Sequence, residues 1–97
     1  MVKEVIWTEK SVRDRLYIYH FWFTHNQSTT FSEKLELLFT ESAQLLAKFP
    51  HIGTRTNIDG VRIKVVRSFK ILYQVTPDKI LILRIWDSRQ DPKTLKL

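Results

Sequence analysis

The chain has 97 residues, of which 43% are hydrophobic and 27% charged, a size and balance that give one compact domain closing a single core and leave no room for a second. It contains no cysteine, which excludes a disulfide framework and any thiolate metal site, and no apolar run approaches the roughly 20 residues of a membrane span. The formal charge is +6: residues 1–50 balance six cations with six anions, while residues 51–97 set ten cations against four anions. An excess confined to one half points to an anionic partner, most often nucleic acid. The start, MVKEVIWTEK, is too charged for a signal peptide, so a cytoplasmic protein is expected.

Val2 to Trp7 reads as a short strand, with Val5 and Trp7 on one face and Val2, Glu4 and Ile6 on the other. From about Thr8 to Thr24 the period becomes helical, and Val12, Leu16, Tyr19 and Phe23 form the predicted buried stripe. At this spacing the string YIYHFWF is assigned to the core, with any exposed remainder covered by a partner. HNQSTT ends the helix, and Thr30 with Glu33 has capping-box spacing for a second one. Leu35, Leu38, Phe39, Leu45, Leu46 and Phe49 give that helix its apolar stripe, and Pro50 disfavours its continuation. HIGTRTNIDG is a loop.

Beyond the loop the period switches to two. Val61, Ile63 and Val65 face one way and Arg62 and Lys64 the other; Phe69, Ile71, Tyr73 and Val75 alternate with Lys70, Leu72 and Gln74 after a hairpin at Ser68. TPDK is the next turn, and KILILRIW, apolar on both faces, is the expected central strand. The order β-α-α-β-β-β predicts an α+β domain, a helical hairpin packed on one face of a mainly antiparallel four-stranded sheet, over residues 1–97.

Three stretches, FPHIG, VRIKVVRSFKILYQV and LILRIWDSRQDP, in this order and spacing, resemble the RelE/ParE superfamily of toxins from bacterial type II toxin–antitoxin pairs. The resemblance covers nearly the whole chain. It implies a growth-arresting toxin bound by a cognate antitoxin, with no cofactor, no metal and no membrane partner. RelE-like members enter the ribosome and cut mRNA; ParE-like members poison DNA gyrase. VRIKVVRSFKILYQV is the more RelE-like, since Arg62, Lys64 and Lys70 stand where that branch places RNA-holding and cleaving cations, and Arg89 stands near its arginine after the last strand. FPHIG and RIWDSRQDP are at least as ParE-like, and no tyrosine follows Tyr73, where several RelE-like nucleases carry a functional aromatic. The expectation leans to a metal-independent endoribonuclease acting on mRNA at the ribosome, with gyrase as the alternative target.

Metal-free RNA cleavage needs a base for the 2′-hydroxyl, cations for the crowded phosphate and an acid for the leaving oxygen. Lys64 is the candidate base, its proton loosened by Arg62 and Arg67; Arg62 and Arg89 are the candidate phosphate braces. A plain phosphate anchor fits Lys64 equally well. Arg67, Lys70 and His51 are assigned to nucleic-acid contact, His51 because it enters the basic strand directly. His20 is expected packed or half exposed and His25 at a helix end, no histidine pair has metal-ligand spacing, and Asp87 and Asp91 flank Arg89 as orienting ion partners.

Overall fold

The computed structural model describes residues 2–90 and 95–97. Strand β1 (Glu4–Trp7) leads into helix α1 (Glu9–Asn26), then helix α2 (Thr30–Lys48), a two-residue strand β2 (Thr54–Arg55), and the meander β3 (Val61–Val66), β4 (Phe69–Val75) and β5 (Lys79–Asp87). The sheet order is β1-β5-β4-β3-β2, with β1 parallel to β5 and the other neighbours antiparallel. The predicted α+β architecture is present; β5 is an interior strand between β1 and β4, and β4 takes the middle of the sheet. The sheet has five strands, not four, because Thr54 and Arg55 inside the predicted loop pair with Ile63 and Arg62.

Both helices lie on one face, where Leu35, Phe39, Ala43 and Leu46 of α2 pack against Phe69, Ile71, Tyr73, Ile80, Ile82 and Ile85. Phe39 meets Phe69 edge to face at 5.3 Å. The predicted stripe of α2 is only partly the buried one. Leu45 and Phe49 are exposed, and the small residues Ser42, Ala43 and Ala47 take the close contacts instead. The capping box does not form: Thr29 is the N-cap without a side-chain bond, and the Thr30 N–H donates to Ser28 Oγ.

Helix α1 departs further from expectation. Its buried residues are Ser11 and Ile18, with Trp22 partly packed, whereas Val12, Leu16 and Phe23 of the predicted stripe are exposed. The helix is apolar on nearly every side, so periodicity alone does not single out the inner face. Its orientation is set by polar bonds. Thr8 caps the helix by accepting from the Ser11 N–H, while its own Oγ1 donates to the carbonyls of Ile82 (2.8 Å) and Leu83 (3.1 Å). Arg15 reaches Glu36 on α2 at 2.6 Å, and Ser32 Oγ donates to the Tyr19 carbonyl.

Strand β5 contains a bulge that decides which side chains enter the core. Tyr73 pairs with Ile82 but Leu72 with Arg84, so Leu83 is the extra residue. Without it the alternation would turn Arg84 inward. With it, Ile85 continues the row of Ile80 and Ile82. Beyond Ile82 strand β1 has ended, and the Asp14 carboxylate of α1 takes over its role: Oδ2 accepts from the Ile85 N–H at 2.9 Å, and both oxygens engage Arg84 at 2.8 and 3.0 Å. Side-chain exposures are 15% for Asp14 and 18% for Arg84, so loss of one partner strands a largely buried charge. Asp14→Ala is expected to destabilise the fold by on the order of 3 kcal/mol, and Arg84→Met on that background to restore part of the loss in urea titrations. Additive effects of the two substitutions would show that they act separately.

Candidate nucleic-acid and partner interface

The register fixes which cations share a face, because residues directly opposite on paired strands project to the same side. Arg55, Arg62, Tyr73 and Ile82 form one row, and Lys64, Ile71 and Ile85 another. Tyr73, Ile71, Ile82 and Ile85 belong to the core beneath the helices. Arg55, Arg62 and Lys64 therefore lie on the helix side of the sheet, at its β2–β3 margin. Lys70, opposite Val65 and Trp86, lies on the other face, and Arg67 occupies the hairpin turn. Arg55 was hidden from sequence reasoning inside an apparent loop; its only signal was alternation with Thr54 and Thr56 over too short a run to read.

Arg62 is held by its own chain. Its guanidinium donates to the carbonyls of Gly53 (2.8 Å) and His51 (3.3 Å), tying down the turn that follows α2. Tyr73 ties the same turn from beneath: its hydroxyl donates to the Pro50 carbonyl at 2.8 Å and accepts from the Gly53 N–H at 2.9 Å. Burial pushes the Tyr73 phenol above its ordinary pKa, so it holds this turn as a neutral donor and acceptor. FPHIG is thus a turn clamped by two strand residues. A β-carbon at Gly53 would sit inside contact distance of the Tyr73 hydroxyl and 2.8 Å from the Ile63 carbonyl oxygen. Tyr73→Phe, which orphans the buried Gly53 N–H, is expected to cost about 1–3 kcal/mol in chemical denaturation. Gly53→Ala should be tolerated better on that background than alone, since the shortest of its three clashes, with the hydroxyl, is then gone, while the ring carbon and the Ile63 oxygen remain.

The other sequence candidates spread out. Lys64 is half-buried and has no ion-pair or hydrogen-bond partner among the described residues. His51 is exposed at the clamped turn. Arg89 lies past the end of β5, next to the hairpin turn through the Ser88 N–H to Ser68 carbonyl bond. Four residues of β3 and one intervening strand separate Arg62 from it, roughly 15–20 Å between backbones. Arg62 and Lys64 are brought together; Arg89 is not brought to them. His20 and His25 are both exposed on α1, the latter stacked on Phe21 at 6.0 Å. Asp91 lies outside the described residues.

Arg89 is also engaged. It grips Asp87 with Nη2 at 2.6 Å and Nε at 3.0 Å, and its guanidinium lies 5.6 Å from the Trp22 ring centre. The hydrogen bond from Arg89 holds the Asp87 carboxyl below the usual carboxylate range. A carboxyl whose folded pKa is depressed contributes stability above its unfolded value near 3.9, and that contribution vanishes as pH falls through the lower folded value. Arg89→Gln should therefore flatten the loss of stability on acidification below about pH 5. The difference stays small, because the arginine is 59% exposed and solvent screens the pair.

A second surface is larger than the exposed remainder of YIYHFWF that the sequence leaves for a partner. Leu16 (57% exposed), Tyr17 (66%), Phe21 and Phe23 leave α1 flanked by apolar grooves. The larger groove, about 750 Å³, runs between α1 and the open edge of β5, and Tyr17, Phe21, Trp22, Phe69 and Trp86 help to line it. The Trp86 indole N–H, buried there, has no acceptor among the described residues. Such a surface suits a protein partner. Among the described residues no cluster of three or more His, Cys, Asp or Glu is placed to hold a metal, and no helix is long and apolar enough to cross a membrane.

The family model of the ParE toxin of the type II toxin–antitoxin system parDE matches residues 5–92. No curated protein matches the chain. Among solved structures, the fold is similar to one described as the chromosomal ParDE toxin–antitoxin system from P. aeruginosa, with TM-score 0.76 and 22% identity over 89% of this chain and 96% of that one. It is also similar to one in the RelBE2 toxin–antitoxin complex from Mycobacterium tuberculosis, with TM-score 0.63 and 17% identity over 90% and 99%. At these identities the structures establish the fold alone. The family match spans nearly all the described residues, and the chain belongs to the ParE toxin family of type II toxin–antitoxin systems.

Proposed function

We propose that this ParE-family toxin arrests growth by binding and poisoning DNA gyrase, without cutting RNA, and that a cognate antitoxin neutralises it. The observation that carries this reading is the dispersal of the three cations that cleavage would need together. Arg62 is spent on the His51 and Gly53 carbonyls, Arg89 on Asp87 at the far end of the sheet, and Lys64 alone is unengaged among them. A phosphate in flight requires a base, an acid and stabilising charge within reach of a few ångströms. A protein-binding poison requires only surface, and the apolar flanks of α1 and the basic second half of the chain supply it. The same flanks fit an antitoxin helix.

Gyrase supercoiling assays with purified toxin should show inhibition with accumulation of cleaved DNA complexes. Brief induction in cells should switch on a DNA-damage reporter and leave mRNA 5′ ends unchanged. New in-frame mRNA ends that disappear in Lys64→Ala, with a silent reporter and uninhibited gyrase, would instead establish ribosome-dependent cleavage.

A further inference from the structure

From Val61 to Val75 the β3–β4 hairpin carries Arg62, Lys64, Arg67 and Lys70 and no acidic residue. Past Arg62 the other three surround its tip. Lys64 is on the helix side opposite Ile71, Lys70 is on the reverse face beside Trp86, and Arg67 is the first of the two residues between the strands. No carboxylate among the described residues pairs with any of them, and the nearest one across the sheet, Asp87 opposite Phe69, is taken by Arg89. Toward the tip strand β2 reaches only to Ile63, opposite Thr54, so among the described residues no strand pairs with the β3 edge from Lys64 to the tip.

Arg67 is held at φ 55°, in the left-handed region. Glycine or asparagine adopts that conformation readily in a hairpin tip, and an arginine there is disfavoured by the clash of its β-carbon with the backbone. Gln27 has a similar φ of 52°, but it ends α1, where a left-handed residue is the ordinary means of termination. The Arg67 side chain is exposed and makes no hydrogen bond or ion pair among the described residues that would offset its backbone conformation. What it contributes lies outside the fold.

We propose that the tip of this hairpin grips the phosphodiester backbone of duplex DNA, Arg67 at its end and Lys64 and Lys70 on its two faces. Cations on opposite faces suit no flat anionic surface. They suit the ridged backbone of a duplex laid across this end of the sheet, where β5 flanks β4 as far as Asp87 and the tip meets phosphates without entering a groove. The inference rests on the gyrase reading, to which it adds that the toxin holds the DNA in the enzyme–DNA complex as well as the protein.

The test uses the full chain and a short fluorescent DNA duplex, titrated by anisotropy over a series of salt concentrations. Arg67→Gly and Arg67→Asn should raise the melting temperature, by about 4–8 °C for glycine. Both should weaken DNA binding and make the log–log salt dependence shallower by about 0.9, the value of one lost phosphate contact. Lys79→Gln removes the same charge at the opposite end of β5, from a lysine already paired with Asp78, and should leave the slope unchanged. A lower melting temperature in both Arg67 variants, or a slope equal to that of the parent, overturns the proposal. So does a loss of gyrase inhibition in Arg67→Gly with unaltered DNA binding, which would make Arg67 a protein contact. If the parent inhibits gyrase yet does not bind the duplex, the DNA grip fails and the gyrase reading stands; the expected slopes with untouched gyrase would support the grip and reject gyrase as the target.

Discussion

The carboxylate of Asp14 is the joint on which the arrangement of helix and sheet depends. Strand β1 covers β5 only as far as Ile82, and the remainder of that edge would present free backbone groups beneath a helix. Asp14 fills the gap by accepting the Ile85 N–H, and Arg84 balances the charge brought in to do so. Thr8 works at the start of the helix, capping α1 and holding the carbonyls of Ile82 and Leu83 at the bulge. Together these two side chains set the rotation of a helix whose apolar residues point nearly everywhere. That rotation in turn leaves Leu16, Tyr17 and Phe21 outside and builds the groove against the end of β5.

The strands from Val61 onward were legible because alternation in a half-exposed antiparallel sheet is a direct image of its two faces. The one interruption, the shift of the inward row from Ile80 and Ile82 to Ile85, was present as a change of parity in KILILRIW, but an apolar run on both faces conceals it. Helix α1 was illegible for the opposite reason: too many of its positions satisfy an apolar criterion, and the residues that orient it are Thr8, Ser11, Asp14 and Arg15, which a hydrophobic pattern ignores. The predicted site residues illustrate a further limit. Charge type and spacing identified Arg62 and Arg89 as available cations, whereas their availability depends on Gly53 and Asp87, and the Gly53 contact is visible only in three dimensions.

The charge asymmetry noted in the sequence acquires a shape in the fold. The neutral first half supplies β1 and the helices, and the cationic second half supplies the remaining four strands. Apolar and basic surfaces thus occur on different elements: α1 shows aromatic and aliphatic groups, and the β2–β3 margin and hairpin tip show arginine and lysine. A partner that neutralises such a molecule by contact meets two unlike chemistries, one answered by apolar burial and the other by carboxylates.

The parallel pairing of β1 with β5 joins Glu4 to Lys79 and Trp7 to Ile82, the first strand of the chain to the last. Contacts of such long sequence separation form late, since the intervening loop must be closed before they contribute. During synthesis the helical hairpin can form from local contacts, but the pairing of β1 with β5 and the Asp14–Arg84 pair do not exist until β5 has emerged. Before β5 emerges the chain is therefore an incomplete sheet with an uncovered helix.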